Sequence, residues 1–179
     1  MTYKEYREIL RYELYRLTWQ NPPLIQKIRI KFFQPNTNCM YLARKMWFFY
    51  SKGLIGKLYA KFLYLKIIKK YGCVIYPHID VKKGFFITHP VGIVIGKCSI
   101  GENFLVNHGC TIGVRRYGEE GSGLFPKIGN NVTAYTNSMI IGDITISDNI
   151  TLGAYSIAMS DLKEPGTYIG TPATLKKRR

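Results

Sequence analysis

Beyond Cys73 the aliphatic residues recur at a spacing of six, which neither a strand of period two nor a helix of period 3.6 produces. Ile75, Val81, Ile87 and Ile93 set the frame, and after one extra residue it resumes at Ile100, Val106 and Ile112. A loop intervenes, and Ile128, Ala134, Ile140, Ile146, Leu152 and Ala158 continue the count. The spacing predicts a hexapeptide solenoid. Each short strand turns one aliphatic residue inward, and three strands close one triangular coil of a parallel β-helix. "IGEN", "IGNN" and "ISDN" beside these positions supply residues suited to tight corners.

The first part of the chain follows a different rule. Tyr6, Ile9, Leu10, Leu14 and Leu17 recur at helical spacing, with Glu5, Glu8 and Glu13 mixed among Lys and Arg on a charged outer face. "NPP" at Asn21 to Pro23 ends that helix. Helical patterns resume near Leu24 and from Met40 to Tyr71, with Gly53 and Gly56 as joints. The expected division is a helical region over 1–72 and a solenoid over 73–179. A Gly-rich, charged loop over 113–127 should project from one corner as a binding surface or a tolerated insertion, and a basic tail closes the chain.

Charge and cysteine content narrow the classes. Among 179 residues, 26 Lys and Arg face 11 Asp and Glu, a formal net charge of +15. That excess asks for an anionic partner: a phosphorylated ligand, a membrane surface or nucleic acid. No nucleic-acid motif is present, and nucleic acid is set aside as a partner. The four cysteines form no C-x-x-C pair and read as reduced and structural. The charged start does not read as a signal peptide, so a cytoplasmic location is expected. "MYLARKMWFFYSKGLIGKLYAKFLYLKIIKKYG" carries a cation every few residues. It reads as the charged face of a helical cap or as a peripheral contact with the inner face of an acidic membrane, never as a span.

Two of the three histidines share a phase. His89 follows inward Ile87 by two residues and His108 follows inward Val106 by two, so both should project from one corner on successive coils, about 4.8 Å apart. An imidazole titrates near neutrality and takes a proton from a hydroxyl, which makes the stacked pair a candidate catalytic site. His78 is out of phase, and no metal site is expected.

"THPVGIVIG", "IGENFLVNHGCTIG", "FPKIGNNV" and "GTYIGTPA" resemble the hexapeptide-repeat acyltransferases, with their left-handed β-helix, in the serine acetyltransferase branch and its shorter relatives from capsule and exopolysaccharide gene clusters. The resemblance implies a homotrimer, alone or doubled through the helices, with acetyl-coenzyme A in the groove between neighbouring prisms and no metal. It makes His89 the general base, with a backbone N–H or a side chain holding the oxyanion. Gly170, Thr171, Pro172 and Ala173 would lie along the pantetheine arm, and charge places Lys176 and Lys177 near the nucleotide phosphates.

The departures from that family pattern concern the acceptor. Thr88 replaces an Asp before the histidine, Val74 replaces an Asp that orients it, and Leu124-Phe125 replaces an Arg-His pair that holds the serine carboxylate. Asn107, His108 or a backbone carbonyl is left to orient His89. An apolar wall does not substitute for charge pairs. The expected acceptor is therefore a sugar hydroxyl of a capsular or extracellular polysaccharide or its lipid-linked precursor, stacked on Phe125 or Tyr117, with Thr88 and Asn107 beside it. The alternatives are a serine O-acetyltransferase of cysteine biosynthesis and a non-catalytic scaffold solenoid.

Overall fold

The computed structural model describes residues 1–18, 23–116 and 124–178. Four helices come first: α1 (Tyr3–Thr18), α2 (Leu24–Phe33), α3 (Pro35–Tyr50) and α4 (Gly53–Tyr71). Pro35 opens α3 at a position where its missing N–H costs nothing. Gly72 closes α4 in the left-handed conformation. Gly53 does begin a helix, but Gly56 is no joint. It lies inside α4 where a Cβ would collide with the Phe49 carbonyl, so its lack of a side chain lets α3 and α4 approach closely.

The solenoid follows as three parallel sheets. One face stacks β1 (Val74–Ile75), β4 (Val94–Ile95), β7 (Thr111–Gly113), β10 (Met139–Ile141) and β13 (Ile157–Ala158). The second stacks β2 (Asp80–Val81), β5 (Ser99–Ile100), β8 (Lys127–Ile128) and β11 (Thr145–Ile146). The third stacks β3 (Phe86–Ile87), β6 (Leu105–Val106), β9 (Thr133–Ala134), β12 (Ile150–Leu152) and β14 (Gly166–Ile169). β15 (Thr174–Arg178) adds to β14 in antiparallel sense, so the basic tail is a folded strand that closes the last edge. Half-buried Leu175 packs against the core from it.

The inward columns follow the predicted frame with one correction. Ile75 pairs with Ile95, and Ile95 with Ile112, so the inward residue of β4 is Ile95 and not Ile93. The step from Ile87 to Ile95 is eight residues, and the step from Ile95 to Ile100 is five. Ile93 is also buried, but in a second column at the interior of the corner, with Cys73, Cys110, Ser138 and Ser156. A spacing of six happened to land on it.

The outer faces differ. Asp80, Ser99, Lys127 and Thr145 make the second face polar. Phe86 and Leu105 on the third line a cavity of about 180 Å³ with Arg16 and Leu17 of α1. Val94 and Met139 leave the first face apolar and exposed.

Glu13 departs from its expected place on the charged outer face. It is 3% exposed and pairs with Arg44, itself 1% exposed. Arg44 Nε and Nη2 donate to Glu13 Oε1 at 2.9 and 2.6 Å, and its remaining donors reach the carbonyls of Val81 and Lys82. The same carboxylate oxygen accepts the N–H groups of Gly84 and Phe85 at 3.1 and 3.0 Å. Burial pushes the Glu13 carboxyl above its usual range, against the opposing pull of Arg44 and the two N–H groups.

Removing one partner of such a pair strands the other charge in the interior. Arg44→Met is expected to cost about 3–5 kcal/mol in urea unfolding, and adding Glu13→Leu should recover much of that loss.

Candidate active site

The edge between the third and first faces carries the candidate residues. β3 ends at Ile87 and the chain turns through Thr88, His89, Pro90, Val91 and Gly92 before β4. β6 ends at Val106 and turns through Asn107, His108 and Gly109. Ile87 and Val106 are register partners, so the two histidines fall one above the other as the sequence frame requires. Their ring centroids are 5.7 Å apart with planes at 68°, an edge-to-face contact. His89 is exposed, His108 is half-buried, and His108 Nδ1 is buried without a hydrogen-bond partner among the described residues.

Each turn rests on the next. Gly109 N donates to the Val91 carbonyl at 2.9 Å, Asn137 N to that of His108 at 3.0 Å, and Tyr155 N to that of Thr136 at 2.9 Å. Gly92, Gly109, Asn137 and Tyr155 all have φ between 56° and 67°, which makes these turns near-copies stacked along one line. The line ends at Gly170 to Ala173, where Gly170 N donates to Ser156 Oγ at 3.0 Å and Ala173 N to the Ile157 carbonyl at 2.8 Å. His89 and Gly170 thus share one edge, four coils or about 19 Å apart. Exposed Tyr135 and Tyr155 flank the path between them.

Thr88 and Asn107 form the floor beneath the histidines. Thr88 Oγ1 lies 2.8 Å from Asn107 Oδ1 and 3.1 Å from the Val106 carbonyl. Asn107 is buried, and its amide donates to the Ala134 carbonyl at 3.4 Å. Asn107 therefore faces Thr88 and the backbone of the next coil. Among the described contacts, only the His108 ring lies against His89. Lys176 and Lys177 are exposed on β15, with Lys176 at the point where the strand register shifts.

Phe125 is not brought to this edge. It precedes β8 on the corner between the first and second faces, half-buried, with Lys97 Nζ 5.1 Å above its ring. Within one chain the expected stacking of an acceptor on Phe125 beside His89 does not form. Tyr117 lies outside the described residues, as does much of the loop over 113–127. His78 sits on another corner, stacked on Tyr50 at 5.3 Å. No cluster of three or more His, Cys, Asp or Glu residues suited to a metal ion occurs among the described residues. No described helix is long and apolar enough to cross a membrane. The sequence frame had no signal for Lys97, since a single Lys in a corner is indistinguishable from a solvated one.

No family model matches the chain. A serine acetyltransferase of Staphylococcus epidermidis is 35% identical to it over 108 residues, 60% of this chain and 50% of the relative. That of Staphylococcus xylosus is 33% identical over 108 residues, 60% of this chain and 49% of the relative. The chain thus spans about half the length of the curated relatives it matches. Among solved structures, serine acetyltransferase from Neisseria gonorrhoeae superposes with a TM-score of 0.84 at 26% identity, covering 99% of this chain and 68% of the other. The Brucella abortus serine acetyltransferase in complex with coenzyme A superposes with a TM-score of 0.84 at 21% identity, covering 98% and 69%, a likeness of fold alone.

These relatives overturn the expected polysaccharide acceptor and give no support to a special closeness to capsule acetyltransferases. The departures at Val74, Thr88 and Leu124-Phe125 stand within a stretch of 108 residues that is 35% identical to a serine acetyltransferase. The left-handed hexapeptide β-helix with a helical N-terminal region, expected from the repeat, is the fold of these enzymes.

Thr88→Val keeps the side-chain shape but leaves buried Asn107 Oδ1 without its hydroxyl partner. The expected loss is about 1–3 kcal/mol in denaturant unfolding.

Proposed function

We propose that the protein is an acetyl-coenzyme A-dependent O-acetyltransferase of the serine acetyltransferase type, with L-serine as acceptor and His89 as general base. The observation that carries this reading is the single edge that runs from the His89–His108 pair to Gly170–Ala173. It offers a base at one end and a backbone turn for the pantetheine arm at the other. Exposed Lys176 and Lys177 on β15 supply cations for the nucleotide phosphates. The serine acetyltransferase relatives and the coenzyme A complex of a structural neighbour support the same class.

His89 takes the proton of the serine hydroxyl as the oxygen attacks the thioester carbonyl. A backbone N–H of the edge stabilises the tetrahedral oxyanion. The C–S bond then breaks, and the imidazolium returns the proton to the departing thiolate. His108 buttresses the His89 ring through its edge-to-face contact.

The apolar first face supports a homotrimer. Exposed Val94 and Met139 there, and Val91 at the corner, need a cover that one chain does not supply. A neighbouring copy would bring its Lys97–Phe125 corner toward the histidine edge. Lys97 then offers the serine carboxylate a cation in place of the missing Arg-His pair. The setting we assign to this activity is the cytoplasm.

Coenzyme A release should be followed with L-serine as acceptor. His89→Ala is expected to lower kcat by about 10²–10⁴-fold with the fold intact. Lys97→Met should raise KM for serine about tenfold or more while leaving KM for acetyl-coenzyme A unchanged. Light scattering should give a three-copy mass. No serine-dependent release by the unaltered protein, or full activity in His89→Ala, would reject the reading.

A further inference from the structure

α4 is apolar on two faces, and only one is covered. Gly56, Ala60, Leu63 and Ile67 are buried against the rest of the molecule. Leu54, Ile55, Leu58, Phe62 and Leu65 lie on the other side, all exposed, Ile55 at 83%. At about 100° per residue these five fall within an arc of about 100°, centred nearly opposite the buried face. Lys61 and Lys66 flank the stripe, Lys69 ends it, and all three are exposed. α2 differs: its partly exposed Leu24, Ile28 and Phe32 line a groove with Leu10 and Leu14 of α1 and Met40 and Tyr41 of α3.

Charge decides what can cover such a surface. From Leu14 through Ile79 the chain has 12 Lys or Arg and no Asp or Glu. A second copy laid on the same face would set lysines against lysines with no acid to pair them. A nucleic acid would meet the cations but leave five large apolar side chains in water. An anionic bilayer satisfies both: headgroup phosphates for the Lys ring, and the acyl boundary for Leu54, Ile55, Leu58, Phe62 and Leu65.

We infer that the helical region docks on the surface of a membrane containing anionic lipid, with the outer stripe of α4 lying in the headgroup–acyl boundary. The contact is peripheral and independent of the acetyl-transfer reading. It holds the solenoid edge beside the bilayer rather than within it.

The test is flotation of the full chain with vesicles of phosphatidylcholine alone and of phosphatidylcholine mixed with phosphatidylglycerol. The protein is expected to rise with the mixed vesicles and stay behind with the neutral ones. Leu58→Gln with Phe62→Gln should cut the floating fraction by about tenfold or more, because both side chains are already in water in the free protein and their thermal midpoint effect is small. Lys61→Gln with Lys66→Gln should weaken binding and reduce its sensitivity to salt. Failure to float with mixed vesicles overturns the inference, as does undiminished flotation of the Leu58/Phe62 variant. A lower assembly mass for that variant would overturn it too, by placing the stripe between copies. So would tight binding to RNA without affinity for the mixed vesicles.

Discussion

The buried pairing of Glu13 with Arg44 joins the helices to the solenoid and holds the turn that leads into β3. A solenoid coil is held by the coils above and below it, and the first coil has a neighbour on one side only. Here the missing partner is the helical region. Arg44 takes the carbonyls of Val81 and Lys82, Glu13 takes the N–H groups of Gly84 and Phe85, and the turn between β2 and β3 has its backbone groups satisfied by side chains from α1 and α3. Gly84 is at φ +83°, where a Cβ would also run into Asn103. Around the pair, Phe85 meets Trp47 edge-on at 5.3 Å, and the Arg44 guanidinium lies 5.2 Å from the Trp47 ring. β3 follows directly, and its end carries Thr88 and His89. The position of the candidate base is thus set, through one short strand, by a charge pair in the helices.

The opposite end is closed by different means. β15 turns back antiparallel on β14 and gives the last coil a hydrogen-bonded edge strand. Its outer side carries Lys176 and Lys177, charges that suit an exposed edge and oppose strand addition by another chain. The parallel stack is therefore bounded by an ion-paired helical cap and a cationic strand. Both are built from sequence that lies outside the six-residue repeat.

What the sequence made legible follows from how local each signal is. The inward columns keep a period of six through most of the solenoid, so the shared phase of His89 and His108 and the separation of the helical region could both be read from residue spacing. The spacing puts the register slip after Ile93, whereas the structure has it between Ile87 and Ile100 through Ile95, because Ile93 and Ile95 are both aliphatic and both buried. Glu13 was misplaced because an acid among Lys and Arg on a helix ordinarily faces water. Its partner is 31 residues away, inside an apolar run, and no local pattern joins them. Phe125 was assigned to the histidine edge from family position alone, whereas within one chain the corners differ. α4 looked like a charged cap face because lysines interrupt its apolar residues. Helical phase shows those residues to be two stripes and not one.

The longer corner at His89 explains the unequal exposure of two histidines that the repeat makes equivalent. From Ile87 to Ile95 there are eight residues, where the coils beneath use six from Val106 to Ile112 and from Ala134 to Ile140. The two additional residues find no place in the stacked columns of the coils beneath, so the turn is longer and Val91 projects from it at 65% exposure. Pro90 is buried, and His89, near the start of this turn, is exposed to solvent. His108, on a corner of ordinary length, stays half-buried with Nδ1 shielded. In the proposed reaction the acceptor hydroxyl would give its proton to the more exposed of the two rings, His89. On that proposal the inner imidazole has a positioning part, since among the described residues its ring is the one that lies edge-on against His89.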